Sequence, residues 1–99
     1  MARVRWTDQA LEDVDAICEY IARDAPRTAR RFGQRIFQAV ETLERHPLSG
    51  QIVPERRQSD IREIRLKRYR IIYRVLDDET LEILTVHHGS RLLDVETLP

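Results

Sequence analysis

Cysteine occurs once, at Cys18, so no disulfide can form within the chain and no thiolate metal cage can be assembled. Glycine is scarce as well: Gly33, Gly50 and Gly89 stand isolated, which excludes a glycine-rich phosphate-binding loop. No apolar run approaches the roughly 18 residues that a membrane-spanning helix requires. The opening Met1-Ala2-Arg3-Val4-Arg5-Trp6 lacks the apolar core and small-residue cleavage site of a secretory signal. The expectation is therefore a cytoplasmic protein with no membrane partner. An excess of either charge is missing too, because 17 basic side chains balance 17 acidic ones. A pI near 6.8 argues against nucleic acid as the main ligand, since generic phosphate-backbone binding needs a sustained basic footprint.

What is present is a chain of 99 residues, long enough for one domain spanning residues 1–99 with a single thin core. Apolar residues at 41% and charged residues at 34% are too hydrophobic for disorder and too interspersed for a membrane, which leaves a soluble globular domain. The balanced charge is unevenly spread. Residues 1–25 carry −3, 26–50 carry +3, 51–75 carry +5 and 76–99 carry −5, so a local basic surface is compatible with a neutral whole.

Arg3-Val4-Arg5-Trp6 alternates like a strand with one buried face, and Thr7-Asp8 supplies a helix start. Leu11, Val14, Ile17, Cys18 and Ile21 then form one helical stripe. Asp24-Ala25-Pro26 ends that helix and begins a second, whose inner face reads Ala29, Phe32, Ile36, Val40 and Leu43. His46-Pro47 stops it, and residues 48–60 read as a loop. From Ile64 the period changes to 2: a strand ending at Leu66, a Lys67-Arg68 turn, a strand over residues 69–75, a turn at Asp77-Asp78-Glu79 and a strand over residues 81–87. The fold class is α+β in the order β-α-α-β-β-β, a helix hairpin on one face of a small, mainly antiparallel sheet. Tyr69, Ile71, Tyr73 and Val75 share one face of the middle strand, and Arg70, Ile72 and Arg74 share the other. If the tyrosine face meets the helices, an apolar residue between two arginines is left open to a ligand.

Chemistry-bearing groups are few. His87 and His88 are strand neighbours that point to opposite faces and cannot chelate one ion, and His46 is remote in sequence, so no metal or cofactor is expected. Cys18 on an apolar stripe reads as an inert buried thiol, and Ser49, Ser59 and Ser90 lack a nucleophile-elbow context. Trp6 is assigned to the core. The run Arg62, Arg65, Lys67, Arg68, Arg70 and Arg74 reads either as a solvated strand surface or as a guanidinium groove for carboxylates or phosphates.

In their order and spacing, Val4-Arg5-Trp6-Thr7, Tyr20-Ile21, Leu43 with Pro47 and Gly50, Ile61-Arg62-Glu63-Ile64, residues 69–75 and the ending Ile83 to Arg91 resemble the ParE/RelE toxin superfamily along nearly the whole chain. The resemblance implies the toxin of a type II toxin-antitoxin pair, forming a hetero-oligomer with a cognate, acidic, partly disordered, ParD-like antitoxin and meeting operator DNA only through it. It implies antitoxin contacts at Arg65, Arg70, Ile72 and Arg74, and target contacts at His88, Arg91, Leu92 and Leu93. RelE-like members cut mRNA, and Arg70 and Arg91 would be the catalytic residues in that case. Residues 92–99 hold neither the tyrosine nor the histidine that such nucleases commonly use there, and residues 55–57 offer Glu-Arg-Arg rather than a lysine pair. The expectation is the ParE-like branch, a non-enzymatic inhibitor of DNA gyrase, with an mRNA interferase or a non-toxic antitoxin-binding module as alternatives.

Overall fold

A computed structural model describes residues 1–56, 60–77 and 79–99. Strand β1 (Arg3–Trp6) leads into helix α1 (Asp8–Ala22) and helix α2 (Pro26–Arg45). Strands β2 (Gln51–Ile52), β3 (Ile61–Leu66), β4 (Tyr69–Val75) and β5 (Thr80–His88) follow, and a 3-10 turn (Val95–Thr97) closes the chain. The sheet order is β1-β5-β4-β3-β2, with β1 parallel to β5 and the other pairs antiparallel. The expected strand, helix hairpin and meander are all present. The segment expected to be loop adds β2, whose two residues are too few to show an alternation in sequence. Arg57, Ser59 and Asp78, which figured in the sequence reading, lie outside the described residues.

Local chemistry explains the boundaries. The Thr7 hydroxyl caps α1 by accepting the Ala10 N–H at 3.1 Å. Pro26 occupies the first turn of α2, where its missing N–H costs nothing. Lys67 takes a left-handed φ of 54°, as a two-residue hairpin turn demands. The Asp77 carboxylate accepts the Glu79 N–H at 2.7 Å in the next turn.

The main core lies between the helices and one sheet face: Val14, Phe32, Ile36, Val40 and Leu43 meet Ile71, Tyr73, Leu81, Ile83 and Val86. Burying each large apolar side chain contributes about 1.5–3 kcal/mol. Tyr73 keeps its hydroxyl satisfied there by donating to the Pro47 carbonyl at 2.8 Å and accepting the Gly50 N–H at 3.0 Å. A Cβ at Gly50 would lie 2.6 Å from both the Tyr73 hydroxyl and the Glu63 carbonyl, so Gly50→Ala should lower the thermal midpoint by several degrees in calorimetry. An unchanged midpoint would contradict this close approach.

Two expectations fail. Leu11, assigned to the buried stripe of α1, is 41% exposed, while Asp13 turns inward to accept the Thr85 hydroxyl and the Val86 N–H. The arginine face of the sheet is also closed. A second core of Val53, Ile61, Ile72, Leu84 and Leu93, flanked by Val95 and Leu98, covers it. Leu84 reaches that side because the β4–β5 register slips beside it, pairing Ile72 with Thr85 and then Tyr73 with Ile83. Trp6 is half-buried and meets Phe37 at a ring distance of 4.9 Å.

Candidate functional site

Arg70 sits mid-β4 opposite Arg65 of β3, with 3% of its side chain exposed. Its Nε donates to Glu63 Oε2 at 2.6 Å, and Nη1 and Nη2 grip the Glu55 carboxylate as a fork at 2.9 and 2.8 Å. Glu63 also faces Arg65 Nε at 3.3 Å, so two guanidiniums balance two carboxylates. Charge-assisted bidentate pairs of this kind are the strong ones among protein hydrogen bonds. Glu55 Oε2 further accepts the Leu93 N–H at 2.9 Å, which ties the C-terminal segment to the sheet.

Hydrogen bonding from Arg70 holds the Glu55 carboxyl far below its ordinary value, from 4.5 to about 2, with burial opposing and the Leu93 N–H assisting. The folded value is depressed, so the stabilisation is complete above 4.5 and is lost as pH falls through about 2. Urea midpoints should therefore drop across that acid window, and Glu55→Gln should flatten the drop. Parallel acid profiles for the two proteins would contradict the assignment.

The antitoxin residues anticipated from sequence are not brought together on one open surface. Ile72 is fully buried in the second core and Arg70 is enclosed by its carboxylates, so neither is open to a partner in this conformation. Arg65 keeps 57% of its side chain exposed. Arg74 is half-buried, facing Glu82 at 3.4 Å and the Pro99 carbonyl at 3.1 Å. Of the anticipated target residues, Leu92 is 90% exposed and Arg91 is exposed, whereas Leu93 is 8% exposed inside the second core. His88 packs edge-on to Tyr69, with Nδ1 2.6 Å from the Ser90 hydroxyl.

Arg91 borders a groove between α1 and the end of β5. One part, about 420 Å³, is lined by Gln9, Asp13, Thr85, His87, Arg91 and the C-terminal segment. A neighbouring part of about 250 Å³ shares Asp13, His87 and Arg91 and extends to Ile17 and Tyr69. Nε2 of His87 is buried without a hydrogen-bond partner among the described residues. Burial, followed by the Arg70 charge, pushes the His87 pKa down, so the imidazole is neutral at pH 7. Asp13, Glu55 and His87 are the residues whose roles sequence reasoning missed. An acid one turn from Ile17 on α1 was the only available signal, and nothing in the sequence pairs Glu55 with Arg70.

Burial raises the Cys18 pKa, keeping the thiol protonated. Among the described residues no three His, Cys, Asp or Glu side chains converge on a metal position.

Residues 4–93 match the model of the ParE toxin of the type II toxin-antitoxin system parDE. The protein named "Putative toxin Y4kP" of Sinorhizobium fredii is 44% identical over 90% of each chain. Toxin RelE2 of Caulobacter vibrioides is 30% identical, covering 93% of this chain and all of that one. Among solved structures, the chromosomal ParDE system of P. aeruginosa superposes with a TM-score of 0.73 at 24% identity, over 89% of this chain and 96% of that one. The RelBE2 toxin-antitoxin complex of Mycobacterium tuberculosis gives 0.58 at 30% identity, over 88% and 96%. A match that covers nearly the whole chain, joined to the helix hairpin and five-stranded sheet, identifies this chain as a member of the ParE toxin family of type II toxin-antitoxin systems.

Proposed function

We propose that the chain is a cytoplasmic toxin that inhibits DNA gyrase by binding it, with no catalytic step of its own, and that a cognate antitoxin silences it. The observation that carries this reading is the state of Arg70: its guanidinium is consumed by Glu55 and Glu63 and cannot stabilise a phosphorane. Beside it, Arg91 and the 90% exposed Leu92 present a cation and an apolar side chain together at the surface, a combination suited to a protein partner. The antitoxin is an acidic, partly disordered chain whose amphipathic segment covers exposed apolar side chains of the helix hairpin, such as Tyr20 and Phe37, next to exposed arginines.

The double substitution Arg91→Ala and Leu92→Ala should weaken gyrase inhibition by roughly tenfold or more, the loss typical of a binding hot spot. Both side chains are exposed, so the thermal midpoint should hold. Full inhibition by the double variant would remove this segment from the target interface.

A second reading is an mRNA interferase. The groove favours it, with neutral His87 and cationic Arg91 on the same cavity wall, the acid-base and cation pair that RNA cleavage requires. His87→Ala would then abolish cleavage on translating ribosomes. On the gyrase reading no cleavage is detected with either form.

A further inference from the structure

Cations also gather at a separate place, where α2 faces the β3–β4 turn. The first eleven residues of α2 hold Arg27, Arg30, Arg31 and Arg35 and no acid. Thr28, Arg31, Phe32 and Arg35 follow the i, i+3, i+4, i+7 spacing of a single helical stripe. With Lys67 they line a notch of about 160 Å³. The Phe32 ring packs edge-on to Tyr69 at 5.1 Å, which fixes the turn against the helix. The notch shares no lining residue with the α1–β5 groove.

Three cations on the neighbouring strands are neutralised: Arg65, Arg70 and Arg74 all pair with carboxylates. Arg31, Arg35 and Lys67 pair with none among the described residues, and no carboxylate lines the notch. Arg31 and Arg35 are like charges one turn apart, an arrangement that disfavours the helix when nothing lies between them. Lys67 adds a third charge from a turn position where asparagine or glycine suits the left-handed φ better. Three cationic side chains lining so small a volume call for closely spaced negative charge. Neighbouring phosphodiesters supply one negative charge and two free oxygens each at close spacing, whereas a protein partner would have to crowd several carboxylates into the same space. Arg27, Arg30 and Arg68, neighbours of the notch residues along α2 and the turn, are exposed. They extend the positive surface, as a polymer of phosphates requires.

We infer that the notch formed by Arg31, Arg35 and Lys67, with the Thr28 hydroxyl, binds the phosphodiester backbone of a nucleic acid. The inference stands apart from gyrase inhibition: it concerns a different surface, and its test reads binding rather than inhibition. A neutral chain with one local site should bind without sequence preference and with strong salt dependence.

Fluorescence anisotropy of a labelled DNA duplex, titrated with the full-length chain across a salt series, tests it. Each phosphate contact contributes about 0.9 to the slope of log affinity against log salt, so Arg31→Gln, Arg35→Gln and Lys67→Asn together should reduce the slope by about 2 to 3. Asparagine tolerates the left-handed turn, so the hairpin is kept. Should the triple variant misfold, the single variants R31Q and K67N should each lower the slope by about 1. Arg23→Gln with Arg45→Gln, which removes cations outside the notch, should leave it unchanged. An equal loss in that control, or none in the triple variant, overturns the proposal. Notch-dependent binding of polyglutamate, inorganic phosphate or phosphatidylserine vesicles, with the duplex left unbound, overturns it as well and reassigns the notch to that ligand.

Discussion

Replacing Arg70 with alanine is expected to destabilise the fold by about 3–5 kcal/mol, because it takes the shared cation from two carboxylates with most of their surroundings dry. Glu63 is 5% exposed and Glu55 16%; without Arg70, Glu55 loses its guanidinium fork and Glu63 is left with the more exposed Arg65. Equilibrium urea denaturation at pH 7 measures the loss directly. Pairing Arg70→Met with Glu55→Gln and Glu63→Gln should recover much of the stability, since neutral isosteres no longer leave a buried charge uncompensated. The pair of results matters for function. A loss of toxicity in an Arg70 variant would imitate the loss of a catalytic group, and the denaturation midpoint separates the two cases. Wild-type stability in Arg70→Ala would show that the cluster does not hold the fold and would return Arg70 to the list of functional candidates.

Deleting residues 92–99 should cost several kcal/mol and expose an apolar face. Leu93, Val95 and Leu98 lie over Val53, Ile61, Ile72 and Leu84, the last four of which are fully buried. Removing the cover forfeits roughly 1.5–3 kcal/mol for each well-buried leucine, and Glu55 loses the Leu93 N–H that it accepts. The truncated chain should therefore melt earlier, bind a hydrophobic dye and tend to associate. Truncation is for this reason a poor probe of target binding, although the gyrase reading places the target against this segment. Leu92→Ala, at a 90% exposed position, should change stability by no more than about 0.5 kcal/mol. A truncated chain as stable as the full one would mean that the second core contributes little.

Much of the architecture was legible because it is periodic. The stripe Ala29, Phe32, Ile36, Val40 and Leu43 and the alternation of Tyr69, Ile71, Tyr73 and Val75 each predicted the face that the structure buries. What periodicity could not show was what covers the other face. Leu84 escapes strict alternation through a slip in register, and Leu93, Val95 and Leu98 lie in a segment with no repeating pattern, so the second core was invisible. The same gap misdirected the site. Arg70 and Ile72 look exposed on a strand diagram, and only the three-dimensional meeting of Glu55, Glu63 and Leu93 removes them from the surface. Arg91 and Leu92 did prove to be exposed, because nothing in the tail competes for them.

The central claim is that this toxin stops gyrase by binding alone. A supercoiling and cleavage assay with purified gyrase, relaxed plasmid and ATP, titrated with the full-length chain in the presence and absence of antitoxin, tests it directly. The account predicts loss of supercoiling or accumulation of linear plasmid, reversed by antitoxin and retained in His87→Ala. Gyrase that runs unimpeded at large toxin excess would contradict it.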